Sequence, residues 1–384
     1  MMLHRKRGRG RGRAFALATW IGLPSLSLLA IAACAASDET EGPGSEGHVV
    51  IPSNDAGEEA SLDATAAVDA PPAPCAAGDL CPVLPSLTPG VIAAISGRSK
   101  NDVWASGTGG LLLHYDGQQW AALESPIDET LSSLFLTSNE SWGVAGTLVL
   151  RRGRDPGSVR TARVPQIGWS PAQSAAGVVV LSNEDVYLGI EPVNANDNYL
   201  VKLNFDSGTV DVLPPAVHPV THAPQRPLRV RAVFHATDRA LWLVGDHAAV
   251  ARYPVMPSGD GGAPVLGQGV MVPVASQANL RAAWGQGEHL WAAGTNGTIL
   301  HFDGAEWHIE DTGTPATLHA IFGLSPKDIW AAGDDGTVLH FDGDTWSRVG
   351  VGAYQGSLRA IWASGQDDVW VGGESGLFHW GALP

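Results

Sequence analysis

Four basic side chains recur at one position of a repeated phrase. Arg231, Arg281, His319 and Arg359 each stand second in a run of the form apolar-x-Ala-apolar-aromatic, as in Leu318-His-Ala-Ile-Phe322. A guanidinium is planar, permanently charged and matched to carboxylate or phosphate, and an imidazole can join such a set. If the fold brings the four to one opening, they form a pocket for an anion or a polar glycan. The same repetition also fits a framework contact, in which each base pairs with an acid or carbonyl of the neighbouring repeat. The equivalent residues of the earlier copies are Ala93, Ser132 and Ala176, so the position turns basic only in the C-terminal half.

Other candidates for chemistry lead less far. His114, His301, His340 and His379 hold another fixed position of the repeat. A whole repeat separates each from the next, too far to share a metal, so they read as structural hydrogen-bonding residues. His218-Pro-Val-Thr-His222 has a ligand-like spacing but no acidic or thiol partner nearby. No metal or cofactor is assigned. Nucleophile elbow, metalloprotease helix and phosphate-binding loop are all missing from the sequence. The acid pairs Asp334/Asp335 and Asp367/Asp368 fall in turns and read as solvated caps. No catalytic residue is assigned, and a non-enzyme is expected.

These residues must be positioned by the repeat itself. The aromatic of its Asp-Ile-Trp phrase falls at Trp104, Trp142, Tyr187, Trp242, Trp291, Trp330 and Trp370, in steps of 38, 45, 55, 49, 39 and 40 residues. Units of this length suit four short strands, and they must stack to bury their apolar faces. Alternating patterns and turn signals give strand A over 318–322, strand B over 328–332, strand C over 337–341 and strand D from Trp346. The expected fold is all-β: a seven-bladed propeller of four antiparallel strands per blade, over residues 90–384. Only six D strands can be found. The segment Val83–Thr88 precedes the first unit and is expected to supply the missing strand, closing the ring and removing an open edge. The long loops 191–198, 214–228 and 254–269 mark where the copies have drifted, and such loops either carry recognition or tolerate insertion.

The N-terminus reads as an address. Six basic residues, from Arg5 to Arg13, precede an apolar run from Ala14 to Ala33 that ends Ile-Ala-Ala-Cys34. This resembles the leader and lipobox of bacterial lipoproteins. The resemblance implies a signal peptide over 1–33, lipidation of Cys34 and, with Ala35 rather than Asp beside it, the outer membrane. Export favours a disulfide between the remaining cysteines, Cys75 and Cys81, in the segment 75–89. Residues 34–74, acidic and without aromatics, Lys or Arg, read as a disordered tether. Losing the leader's six bases from 23 Lys and Arg, against 39 Asp and Glu, takes the formal charge from −16 to −22. That charge excludes nucleic acid as a partner, and contact with the membrane is expected through the lipid only.

The phrase Asp-[Ile/Val]-Trp-Ala-x-Gly-x-x-Gly-Thr-[Ile/Val]-Leu-His-Phe-Asp-Gly-x-x-Trp resembles that of secreted bacterial propeller proteins. It is similar to BNR/Asp-box propellers, which include sialidases, to photosystem II assembly-factor-like propellers and to tectonin-type lectins. The Asp-box match is imperfect, since Asp116-Gly117, Asp303-Gly304 and Asp342-Gly343 are adjacent pairs. A sialidase would need an Arg triad, a nucleophilic Tyr and an acid together, and no motif gathers them. The expectation is a monomeric, lipid-anchored propeller presenting a binding face to an envelope protein. The alternative is a tectonin-like lectin for a surface glycan. Against a lectin site in every blade, the B–C turns differ between their glycines: Thr-Gly, Thr-Asn, Asp-Asp and Glu-Ser.

Overall fold

The computed structural model describes residues 78–84, 90–153, 158–165, 173–181, 185–192, 199–221, 229–237, 240–258, 263–374 and 376–381. Seven antiparallel sheets follow one another along the chain. Six are built from consecutive strands. Blade 6 shows the pattern: strand A Leu318–Ser325, B Asp328–Gly333, C Val338–Phe341 and D Trp346–Val349. The A strands touch in sequence and the last, Leu358–Gly365, meets the first, Ile92–Ser99, so the ring is closed. The expected seven-bladed propeller is the observed fold.

Closure occurs as anticipated, with shifted bounds. The fourth strand of blade 7 is Cys81–Leu84, paired antiparallel with Gly376–Trp380. It starts two residues before the expected Val83, and residues 85–89 lie outside the described ones. Pro82 sits on this outermost strand, where a missing N–H costs no ladder bond. Leu80 and Leu84 are buried there, and the Leu80 N–H donates to the Gly350 carbonyl of blade 6. The N-terminal segment therefore ties two blades together. Blade 4 departs from the pattern: its C strand, Val250–Met256, pairs with both Val265–Leu266 and Val270–Met271.

Turn chemistry explains the sharp reversals. At the C–D hairpin the Asp342 carboxylate accepts the N–H groups of Asp344 and Thr345, and Gly343 takes φ 101°. At the B–C turn, Asn296 and Gly297 are both left-handed, at φ 58° and 63°. A Cβ on Gly297 would lie 1.7 Å from the Thr314 carbonyl, so only glycine fits.

The core lies between the sheets. Trp142, Trp291, Trp330 and Trp370, from strand B of four blades, are fully buried with Tyr187. The aromatic ladder is inter-blade core.

Candidate functional site

The four basic residues do share one structural position, and a bulge creates it. In six blades the pairing of strand A with strand B skips a residue: Ala93, Ala176, Arg231, Arg281, His319 or Arg359. An unpaired residue of this kind leaves the strand's alternation and re-aims its side chain. In blades 4, 6 and 7 it aims at the residue after the glycine ending strand B of its own blade. Arg231 grips Asp246 through Nε and Nη2, at 3.0 and 3.1 Å. His319 Nε2 lies 2.7 Å from Asp334, and Arg359 Nη2 donates to Glu374 at 3.1 Å. The partners are thus acids of the same blade, where the sequence pointed to the neighbouring one.

Neighbouring blades interlock these pairs. Burial works against ionisation of Asp246, but Arg231, Arg229 and Arg281 of the next blade hold it below the usual carboxylate range. Asp334 is likewise held down against its burial by hydrogen bonds from Ser357 and His319 and by the charge of Arg359. Blade 5 differs. Thr295 replaces the acid there, its hydroxyl accepting the Asn279 N–H at 3.0 Å. Arg281 has no carboxylate at that place in its own blade, and its buried Nε has no hydrogen-bond partner among the described residues. From blade 4 to blade 7 base and acid alternate in this way, with Arg281 the base without an own-blade acid.

A second constellation was only half visible in the sequence. The histidines of strand C are structural, and their partner is the Asp of the Asp-Ile-Trp phrase. Asp102 accepts Trp104 Nε1 at 2.8 Å and lies 2.9 Å from His114 Nε2. Asp328 does the same with Trp330 and His340, at 3.1 and 3.0 Å, and Asp368 with Trp370 and His379, at 3.0 and 2.7 Å. The indole and imidazole stack in blade 6, with centroids 4.2 Å apart, and tilt against each other in blades 1 and 7, at 4.5 and 4.2 Å. Two expectations are corrected. Asp368 is no solvated cap, and neither is Asp334, because each accepts side-chain donors that a turn alone would not supply. Asp328 serves Trp330 and His340 rather than nearby backbone amides.

Blade 5 again departs. His289 stands in the Asp place, 3.1 Å from His301, and Trp291 Nε1 is buried without a hydrogen-bond partner among the described residues. Burial, then His289 and His308, push the His301 imidazole down to about 4. The signal for the clasp was present in the sequence as Asp at i, Trp at i+2 and His at i+11 or i+12, with His289 breaking it.

His218 accepts the N–H groups of Val220 and Thr221, both at 3.2 Å, and so caps a turn; His222 lies outside the described residues. No group of three or more His, Cys, Asp or Glu among the described residues is placed to hold a metal ion. Cys81 is disulfide-bonded. Cys75 and Cys34, with the leader and tether, lie outside the described residues.

No protein-family model matches the sequence, and no curated protein does. Solved structures do. A streptogramin B lyase is similar with a TM-score of 0.60 and 17% identity, covering 79% of this chain and 95% of that one. YCF48 from Cyanidioschyzon merolae gives 0.56 and 16%, covering 78% and 97%. YCF48 bound to D1 peptide gives 0.55 and 15%, covering 78% and 93%. At such identities the likeness establishes the propeller fold and nothing finer; it does not extend to an Asp-box or tectonin assignment.

Proposed function

We propose that this chain is a non-catalytic, lipid-anchored propeller whose disc holds a partner polypeptide at the cell envelope, as a scaffold or assembly factor. The observation that carries this reading is the commitment of its reactive side chains to the framework. Arg231, His319 and Arg359 are paired with Asp246, Asp334 and Glu374, while His114, His340 and His379 are clasped to Asp102, Asp328 and Asp368. A base or nucleophile held this way is poorly placed for substrate, and a rigid disc offers shape and surface instead. A propeller of the same architecture, YCF48, holds a peptide, which supports a polypeptide as the partner class here. The anchor rests on the Ile-Ala-Ala-Cys34 sequence, and Cys34→Ser should release the chain from membranes.

The test pairs a glycan array with cross-linking of the full chain in its envelope. A protease-sensitive polypeptide adduct with a silent array is the expected result. Saturable binding to a defined sugar, with no polypeptide adduct, would overturn the reading.

A further inference from the structure

Six of the seven blades pass the strand B aromatic to an aromatic of the next. Trp370 meets Tyr115 and Trp120, with centroids 5.1 and 5.2 Å away. Trp291 meets Phe341 and Trp346 at 5.1 and 5.9 Å, and Trp330 meets Trp380 at 5.7 Å. Trp142 reaches Phe205 at 5.1 Å, Trp242 reaches Phe302 at 6.5 Å, and Tyr187 shares a core with Tyr253.

The seam from blade 1 to blade 2 breaks this rule. Trp142 pairs with Arg151 as Trp104 pairs with His114 and Trp330 with His340. Arg152 therefore holds the place of Tyr115 and Phe341. Arg152 in turn pairs with Val159, as Tyr115 pairs with Trp120 and Phe341 with Trp346. Two substitutions thus remove both rings that would face Trp104. A cleft of about 440 Å³ opens there, lined by Trp104, His114, Arg98, Arg152, Asn101 and Asn139 among others. That volume suits a small ligand or an inserted side chain.

The cleft is built to persist. Arg98 donates to the Thr137 and Glu140 carbonyls of blade 2 and to Asp102 of blade 1, pinning the two blades together. Asp102 fixes the Trp104 indole through Nε1. The Arg152 guanidinium is held at its edge, by a 3.3 Å bond to the Glu124 carbonyl.

We propose that this seam is a docking site for an aromatic side chain of the partner polypeptide, its ring packed on Trp104 and a neighbouring carboxylate or carbonyl on Arg152. The inference rests on the protein-binding reading above and names where and how that partner is held. The occupant follows from the fold: at five of the other seams the same place is taken by Tyr115, Tyr253, Phe302, Phe341 or Trp380, and at the sixth, where Leu203 holds it, Phe205 reaches the tryptophan instead. Asn101 and Asn139 at the rim add donors and acceptors suited to a main chain. Buried aromatic anchors of this kind dominate polypeptide recognition.

The test uses the full chain carrying 5-fluorotryptophan, with the Trp104 resonance assigned through Trp104→Phe and N-acetyl-tyrosine as the probe. The Trp104 signal should move saturably. The double variant R152F/V159W installs the aromatic pair found at the seams into blades 1, 5 and 6. It should weaken probe binding by about tenfold or more while keeping or raising the unfolding midpoint. Arg152→Met, which leaves the cleft open, should weaken it severalfold and serves if the double variant fails to fold. An unmoved Trp104 signal, equal binding by R152F/V159W, or a response to methyl glucoside in place of N-acetyl-tyrosine would each overturn the proposal. A photo-crosslinker at Asn139 separates it from the broader reading. If R152F/V159W keeps a polypeptide adduct, the seam is refuted while protein binding stands. If the probe binds but no polypeptide crosslinks to the disc, protein binding fails, and a polypeptide occupant with it.

Discussion

Blade 5 offers a direct test of the clasp, because His289→Asp should rebuild what blades 1, 6 and 7 already have. In the wild type the buried Trp291 Nε1 has no partner among the described residues, and His301 faces a second imidazole. The introduced carboxylate would accept from both. Asp102 and Asp368 stand in the same setting. Both are held below the usual range despite burial, by hydrogen bonds from Arg98, His114 and Trp104 in one case and from His379, Ser364 and Trp370 in the other. A hydrogen bond to a charged group contributes roughly 1.5–3 kcal/mol, and desolvation of the new carboxylate offsets part of two such bonds, leaving a gain of about 2 kcal/mol at pH 7. The pH dependence should change as well. His301 is pushed from 6.5 down to about 4, so below pH 6.5 the unfolded chain takes up a proton that the folded one refuses. Stability is therefore present above 6.5 and drains away as pH falls toward 4. The loss is at most about 1.4 kcal/mol per pH unit, hence roughly 2 kcal/mol between pH 7 and 5. His308, Asp303 and Glu310 also face His301, but they are common to both proteins, so the difference isolates position 289. In the variant the His301 imidazole has an anionic partner, and this drain should vanish or reverse. Urea unfolding of both proteins at pH 7 and pH 5 measures it. A variant less stable than wild type at pH 7, or one that loses as much stability on acidification, would refute the reasoning.

Three further outcomes follow from the same contacts. Asp328→Ala leaves the Trp330 indole and His340 imidazole without their shared acceptor in a buried site, and chemical denaturation should show a loss of about 2–4 kcal/mol. On strand A, Arg231→Met removes a two-point, half-buried pair with Asp246 and should cost about 1–3 kcal/mol. Arg359→Met breaks a pair whose side chains are 41% and 44% exposed and should change stability by no more than about 0.5 kcal/mol. Deleting residues 1–84 uncovers the Gly376–Trp380 edge and the apolar surface of Phe378. The product should elute as soluble aggregate in size-exclusion chromatography, whereas the full chain in detergent should elute as one species.

The fold was legible because each repeat states its strands and turns again, and because counting D strands exposed the need for an N-terminal closing strand, expected from Val83 and found at Cys81–Leu84. The basic position of strand A was legible as a position, but not as a bulge: the skipped pairing at Arg231, Arg281, His319 and Arg359 depends on register, which no local pattern encodes. The clasp was missed for a related reason. Asp328 looks like a turn residue until strand C returns His340 to it from 12 residues away. The seam at Trp104 was hidden in the drift of copy 2, where Arg152 and Val159 become informative only once aligned by pairing with Tyr115 and Trp120.

The proposed role has the disc hold a polypeptide. The most direct measurement places a photo-crosslinker at Asn139 of the full chain expressed in its own cells and compares wild type with R152F/V159W. One protease-sensitive adduct of constant mass is expected in the wild type, with its loss in the filled variant. An adduct that resists protease and yields to glycosidase would contradict the claim.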